Sequence, residues 1–65
     1  MGWSSGTDLV REVAHAIYAN VSDEVTRIAL YEALVTAAER EDWDCHNEAM
    51  GIDPVLDVVL ESPRP

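Results

Sequence analysis

Apolar residues recur at steps of three and four early in the chain, at Val10, Val13, Ala14, Ile17 and Val21. That spacing marks one face of a helix, because a helical turn takes 3.6 residues. Asp8, Arg11, Glu12 and His15 occupy much of the other face. Ser5-Gly6-Thr7-Asp8 has the spacing of a capping box, with Thr7 as the rival cap. A first helix is predicted from about Asp8 to Asn20, after a lead-in over residues 1–6.

Ser22 is placed to cap a second helix, and Asp23 and Glu24 set negative charge at its positive end. No helix breaker appears until Gly51, and Ala, Leu, Glu and Arg dominate up to Glu41. Helix is therefore predicted from about Asp23 to Glu41. Projected at about 100° per residue, Ala37, Leu30, Leu34, Ala38, Tyr31, Val35 and Ile28 fill an arc roughly 180° wide, interrupted only by Arg27 and by Glu24 and Glu41 from the helix ends. A surface helix usually carries a narrower stripe. This helix has more apolar face than one neighbour hides.

Asp42-Trp43-Asp44 breaks the pattern, and Asp44 can cap a short turn through Met50. Gly51 is suited to end that turn in the left-handed conformation. Asp53-Pro54 signals another helix start, an N-cap carboxylate followed by Pro at the first helical position. Val55, Leu56, Val59 and Leu60 would form its apolar face, with a strand as the alternative because the segment is rich in β-branched residues. Residues 62–65 read as a frayed tail. The pattern predicts an all-α fold: a helical hairpin plus one or two short carboxy-terminal helices, one domain over residues 1–65.

Size sharpens this picture. At 65 residues the core supplies about 3–5 kcal/mol, and there is little chain from which to wall a catalytic pocket. No enzymatic activity is expected. Thirteen acidic residues against four basic ones give a formal charge of -9. Direct binding to nucleic acid or to an anionic membrane is not expected, since both require clustered cations. A partner with a basic surface is favoured instead. The single cysteine, Cys45, excludes an internal disulfide framework. With no long apolar run and no basic stretch ahead of one, the expectation is a cytoplasmic protein without signal peptide or membrane span.

The one cluster that looks like chemistry is Cys45-His46 with Asp42, Asp44 and Glu48 nearby. Adjacent ligands on a helical turn diverge by about 100°, and a zinc site wants four in suitable pairs. A calcium loop counted from Asp42 to Asp53 has Asn47 where Gly is needed and no Glu at its end. Neither a metal nor any other cofactor is expected, and Cys45 reads as a small buried residue. The acidic run itself reads two ways. It is either a solvated helix end whose Trp43 covers the core, or a binding epitope with Trp43 as anchor inside a rim of Glu41, Asp42, Asp44 and Glu48.

The opening Met1-Gly2-Trp3-Ser4-Ser5-Gly6, the Glu41-Asp42-Trp43-Asp44-Cys45 stretch and the later Gly51-Ile52-Asp53-Pro54-Val55 resemble small acidic proteins encoded by bacteriophages and prophages. The acidic segment departs from the Asp-Trp-Asp-Thr and Asp-Cys-Asp forms found among them, continuing as Cys45-His46. The resemblance implies a setting, compact accessory genes acting on host proteins, and no catalytic residue. The leading expectation is thus a non-enzymatic inhibitor that binds a basic face of a host protein, in anti-defence or host takeover, from within the host cytoplasm. An assembly protein acting through homo-oligomerisation is the alternative, and a metal or thiol sensor built on Cys45 and His46 the third. The wide apolar arc further predicts a homodimer with Leu30, Tyr31 and Leu34 at its seam.

Overall fold

The structure, a computed structural model, describes residues 5–62. Among them lie three α-helices and one 3-10 turn: α1 (Gly6–Asn20), α2 (Glu24–Arg40), the 3-10 turn His46–Ala49, and α3 (Pro54–Glu61). The fold is all-α, as the periodicity predicts, and the strand alternative for the carboxy-terminal segment falls. Residues 1–4 and 63–65, which include most of the lead-in and the tail, lie outside the described residues. No described helix is long and apolar enough to cross a membrane.

The helix starts follow the chemistry of each cap. Asp53 has extended backbone, and its carboxylate accepts a hydrogen bond from the Val55 N–H at 3.0 Å, with Pro54 opening α3. At α2 the cap is Asp23, whose carboxylate accepts from the Thr26 N–H at 2.9 Å. Ser22 sits one position too early for that role. Neither cap candidate for α1 serves. Ser5 stands at the N-cap with helical backbone and no side-chain bond, and Thr7 turns its hydroxyl into the protein instead.

The end of α2 decides where the acidic segment goes. Asp42 has φ of 66°, the left-handed region, which is uncommon for a residue with a Cβ. Its N–H donates to Glu39 O and the Trp43 N–H donates to Ala38 O, each at 3.1 Å. These two bonds are the Schellman arrangement, with Asp42 where Gly is usual. The reversal turns Trp43 back onto Ala38 and into the core. Left-handed backbone costs an ordinary residue about 1–2 kcal/mol, and glycine's greater unfolded-state entropy returns about 0.5–1 of that. Asp42→Gly is thus expected to stabilise the fold by about 0.5–1 kcal/mol, raising Tm by roughly 2–8 °C. Thermal melts followed by circular dichroism check this, and a lowered Tm would refute it.

α2 is the central element, with α1 and α3 packed on it and the 3-10 turn bridging α1 and α3. The core comprises Val10 and Ala14 of α1, Tyr31, Val35 and Ala38 of α2, Trp43, Ala49, and Leu56, Val59 and Leu60 of α3. On α2 the buried residues follow a narrow stripe, steps of four and three from Tyr31. The rest of its apolar arc is only partly covered: Leu34 is half-buried, while Ile28, Leu30 and Ala37 are exposed.

Candidate functional site

Two polar networks hold the helices in place and take up residues that would otherwise present functional chemistry. The first surrounds Asp53, which is 1% exposed. Its Oδ1 accepts from Val55 N, while Oδ2 accepts from the Tyr31 hydroxyl at 2.7 Å and from Arg27 Nε at 3.0 Å. Arg27 also donates to the carbonyls of Val21 and Ser22 and lies 5.7 Å from the Tyr18 ring centre. One guanidinium therefore joins the α1–α2 turn to the cap of α3. Burial pushes the Asp53 carboxyl up, but the Tyr31 and Val55 hydrogen bonds and the Arg27 charge outweigh it, leaving its pKa below the ordinary value. Tyr31 is pushed well up, by burial first and then by the hydrogen bond and charge of Asp53.

The second network begins at Trp43, only 2% exposed. Its indole N–H donates to Thr7 Oγ1 at 3.0 Å, and that hydroxyl donates to Glu48 Oε1 at 3.1 Å. Arg11 donates to the Glu48 carbonyl at 2.9 Å. His46 lies with its ring centre 4.7 Å from Trp43, its Nε2 2.6 Å from Glu39 Oε2. The start of α1, the end of α2 and the 3-10 turn are pinned together here.

These positions correct part of the sequence reading. Trp43 is a core residue and offers no exposed anchor, because the reversal at Asp42 aims it inward. The proposed rim stays at the surface, with Glu41, Asp42, Asp44 and Glu48 all exposed. Tyr31 cannot form a dimer seam, since its ring is buried and its hydroxyl is bound to Asp53. Leu30 does lie at the surface, 40% exposed, and Leu34 lines a shallow hollow with Leu9, Ala37, Ala38 and Glu41. Cys45 is half-buried against the core, its thiol pKa pushed up by burial and then by the Glu48 charge. Among the described residues no three His, Cys, Asp or Glu side chains converge as a metal site would require.

The feature that sequence reasoning missed is a groove of about 340 Å3 between α2 and α3. One wall is the stripe Glu24, Ile28 and Glu32; the other is Pro54, Val55, Val58, Val59 and Ser62. Its signal was present in the chain. The apolar residues of the last helix run nearly all the way round, so that Val58 is left 62% exposed when Leu56, Val59 and Leu60 enter the core. The chain was compared with family models, curated proteins and solved structures, and none matches it.

Proposed function

We propose that the protein is a non-enzymatic inhibitor that docks its acidic surface on a basic face of a partner protein. The observation that supports this reading is the sorting of charge by the fold. Arg11 and Arg27 are committed to internal hydrogen bonds, leaving Arg40 as the exposed cation among the described residues. The carboxylates go the other way: only Asp53 is buried, and Glu39 and Asp57 are half-buried. The surface is thus more uniformly negative than the composition alone implies, and such a field speeds encounter with a basic partner and disfavours acidic ones. The resemblance to phage accessory proteins makes a host-cell protein the natural target. The homo-oligomer alternative is the weaker reading, since Tyr31 of its seam belongs to the protomer's own core.

The test uses the exposed rim at the end of α2. Glu41→Gln, Asp42→Asn, Asp44→Asn and Glu48→Gln remove four charges while keeping an acceptor for Thr7 and a residue type that tolerates the left-handed position. A partner captured from bacterial lysate should bind the wild type with an affinity that falls about tenfold or more from 50 to 200 mM salt. The quadruple variant should associate more slowly, with a shallower salt dependence and unchanged helicity. Equal affinity and salt response in the two proteins would refute the reading.

A further inference from the structure

We propose that the α2–α3 groove is the docking site for a basic amphipathic helix of the partner, an inference that rests on the acidic-surface reading and supplies what that surface lacks. Specific interfaces concentrate their binding energy in apolar anchors surrounded by polar groups. With Trp43 in the core, the acidic rim at the end of α2 loses that anchor and keeps only the hollow of about 160 Å3 beside Glu41. The groove has an anchor on each wall, Ile28 at 37% exposed and Val58 at 62%.

The charges along the groove select its occupant. Glu24 and Glu32 lie four residues before and after Ile28, on the same stripe of α2 and roughly 6 Å away along the axis in each direction. Both are exposed, and neither makes an ion pair among the described residues. The α3 wall carries no charge at all: Pro54, Val55, Val58, Val59 and Ser62. A helix with an apolar residue over Ile28 and Lys or Arg about one turn to either side would match the α2 wall, while its apolar edge covered Val58. A second copy of this chain fits badly. A two-fold seam here would enclose the Glu24 and Glu32 carboxylates of both copies, with no cation on either wall to receive them, between bodies each carrying -9. The occupant is a basic helix.

A synthetic peptide of about 18 residues tests this directly: leucines along one face, lysines four residues before and after the central leucine. Its control replaces those lysines with glutamates. At low salt the basic peptide should shift the amide resonances around Ile28 and Val58 and bind at least about tenfold more tightly than the control. Glu24→Gln with Glu32→Gln should remove most of that preference, and Val58→Arg, at an exposed position, should weaken binding about tenfold with helicity unchanged. Three results would overturn the proposal: shifts confined to residues 41–48, equal binding of the acidic control, or concentration-dependent shifts at Ile28 and Val58 without peptide, which would assign the groove to a second copy. The first of these leaves the acidic-surface reading intact. A captured partner that ignores both salt and the rim variants defeats that reading instead, while the peptide titration still decides the groove.

Discussion

Asp53→Ala is expected to leave the chain largely unfolded at 25 °C and neutral pH. The carboxylate receives three donors, Val55 N, the Tyr31 hydroxyl and Arg27 Nε. Removing it uncaps α3, at a cost of about 1 kcal/mol, and strands a tyrosine hydroxyl inside the core. It also leaves the Arg27 charge, mostly buried, without its counter-ion. Breaking a buried ion pair from one side costs about 3–5 kcal/mol, as much as the stability expected of a domain this small. Asp53→Asn should do only somewhat better. Asparagine has one oxygen and one NH2 group, and in either orientation the amide donors oppose a donor, Val55 N–H on one side or Arg27 Nε–H on the other. Tyr31→Phe removes a donor without orphaning a charge and should cost about 1.5–3 kcal/mol. Urea melts followed by circular dichroism rank the three. An Asp53→Ala protein that melts within a few degrees of wild type would show that the network does not hold the helices together.

The same network sets a pH window. The Asp53 pKa is lowered in the folded state, so its contribution is complete above the unfolded aspartate value of about 3.9 and is lost as pH falls through the lower folded value. Tyr31 has the opposite sign. Its pKa is raised, so its share is complete below about pH 10 and is lost as pH rises toward the folded value. Stability should therefore fall at both ends of the range, and Tyr31→Phe should flatten the alkaline side.

Why some of this architecture was legible in the chain and some was not follows from where each signal is written. Asp53-Pro54 is a local signal, a cap and a fixed φ in adjacent residues, and α3 starts where it says. The face of α1 is likewise local, since Val10 and Ala14 enter the core at helical spacing. The interior of α2 is harder to read, because its apolar arc covers about half the circumference and periodicity alone cannot choose the narrower stripe of Tyr31, Val35 and Ala38 that is buried. Arg27 held the missing information. A cation inside an apolar arc needs a counter-charge, and Asp53 is 26 residues further on, a pairing that only tertiary contact makes. Thr7 misled for a related reason. Its hydroxyl suits a cap locally, but a distant indole outcompetes that use. In the acidic segment the sequence places the carboxylates at the surface but leaves Trp43 open between core cover and exposed anchor; the core reading holds, because one residue, Asp42, takes a left-handed conformation that its type adopts only occasionally.

Trp43 carries the largest expected effect outside the Asp53 network, and its two readings differ most in what they require. As a surface anchor, its removal would spare the fold and abolish partner binding. As the core residue described here, Trp43→Ala should cost about 3–5 kcal/mol and unfold most of the protein before binding can be measured. Finer substitutions separate ring from hydrogen bond. Trp43→Phe keeps an aromatic ring against Ala38 and His46 but deletes the N–H, and a loss of about 1–2 kcal/mol is expected from a smaller ring and one missing bond. Thr7→Val, nearly the same shape, leaves the indole N–H buried without an acceptor and should cost about 1–3 kcal/mol. Because these residues share one bond, the double variant should be less destabilised than the sum of the two single changes. Denaturant melts of all four proteins complete the cycle, and near-ultraviolet circular dichroism of the wild type and Thr7→Val, with Trp43→Phe as the baseline for Trp3, reports whether Trp43 remains in a fixed environment. Strict additivity, or a Trp43→Ala protein as stable as wild type, would put the indole back at the surface and restore it as an anchor of the acidic rim.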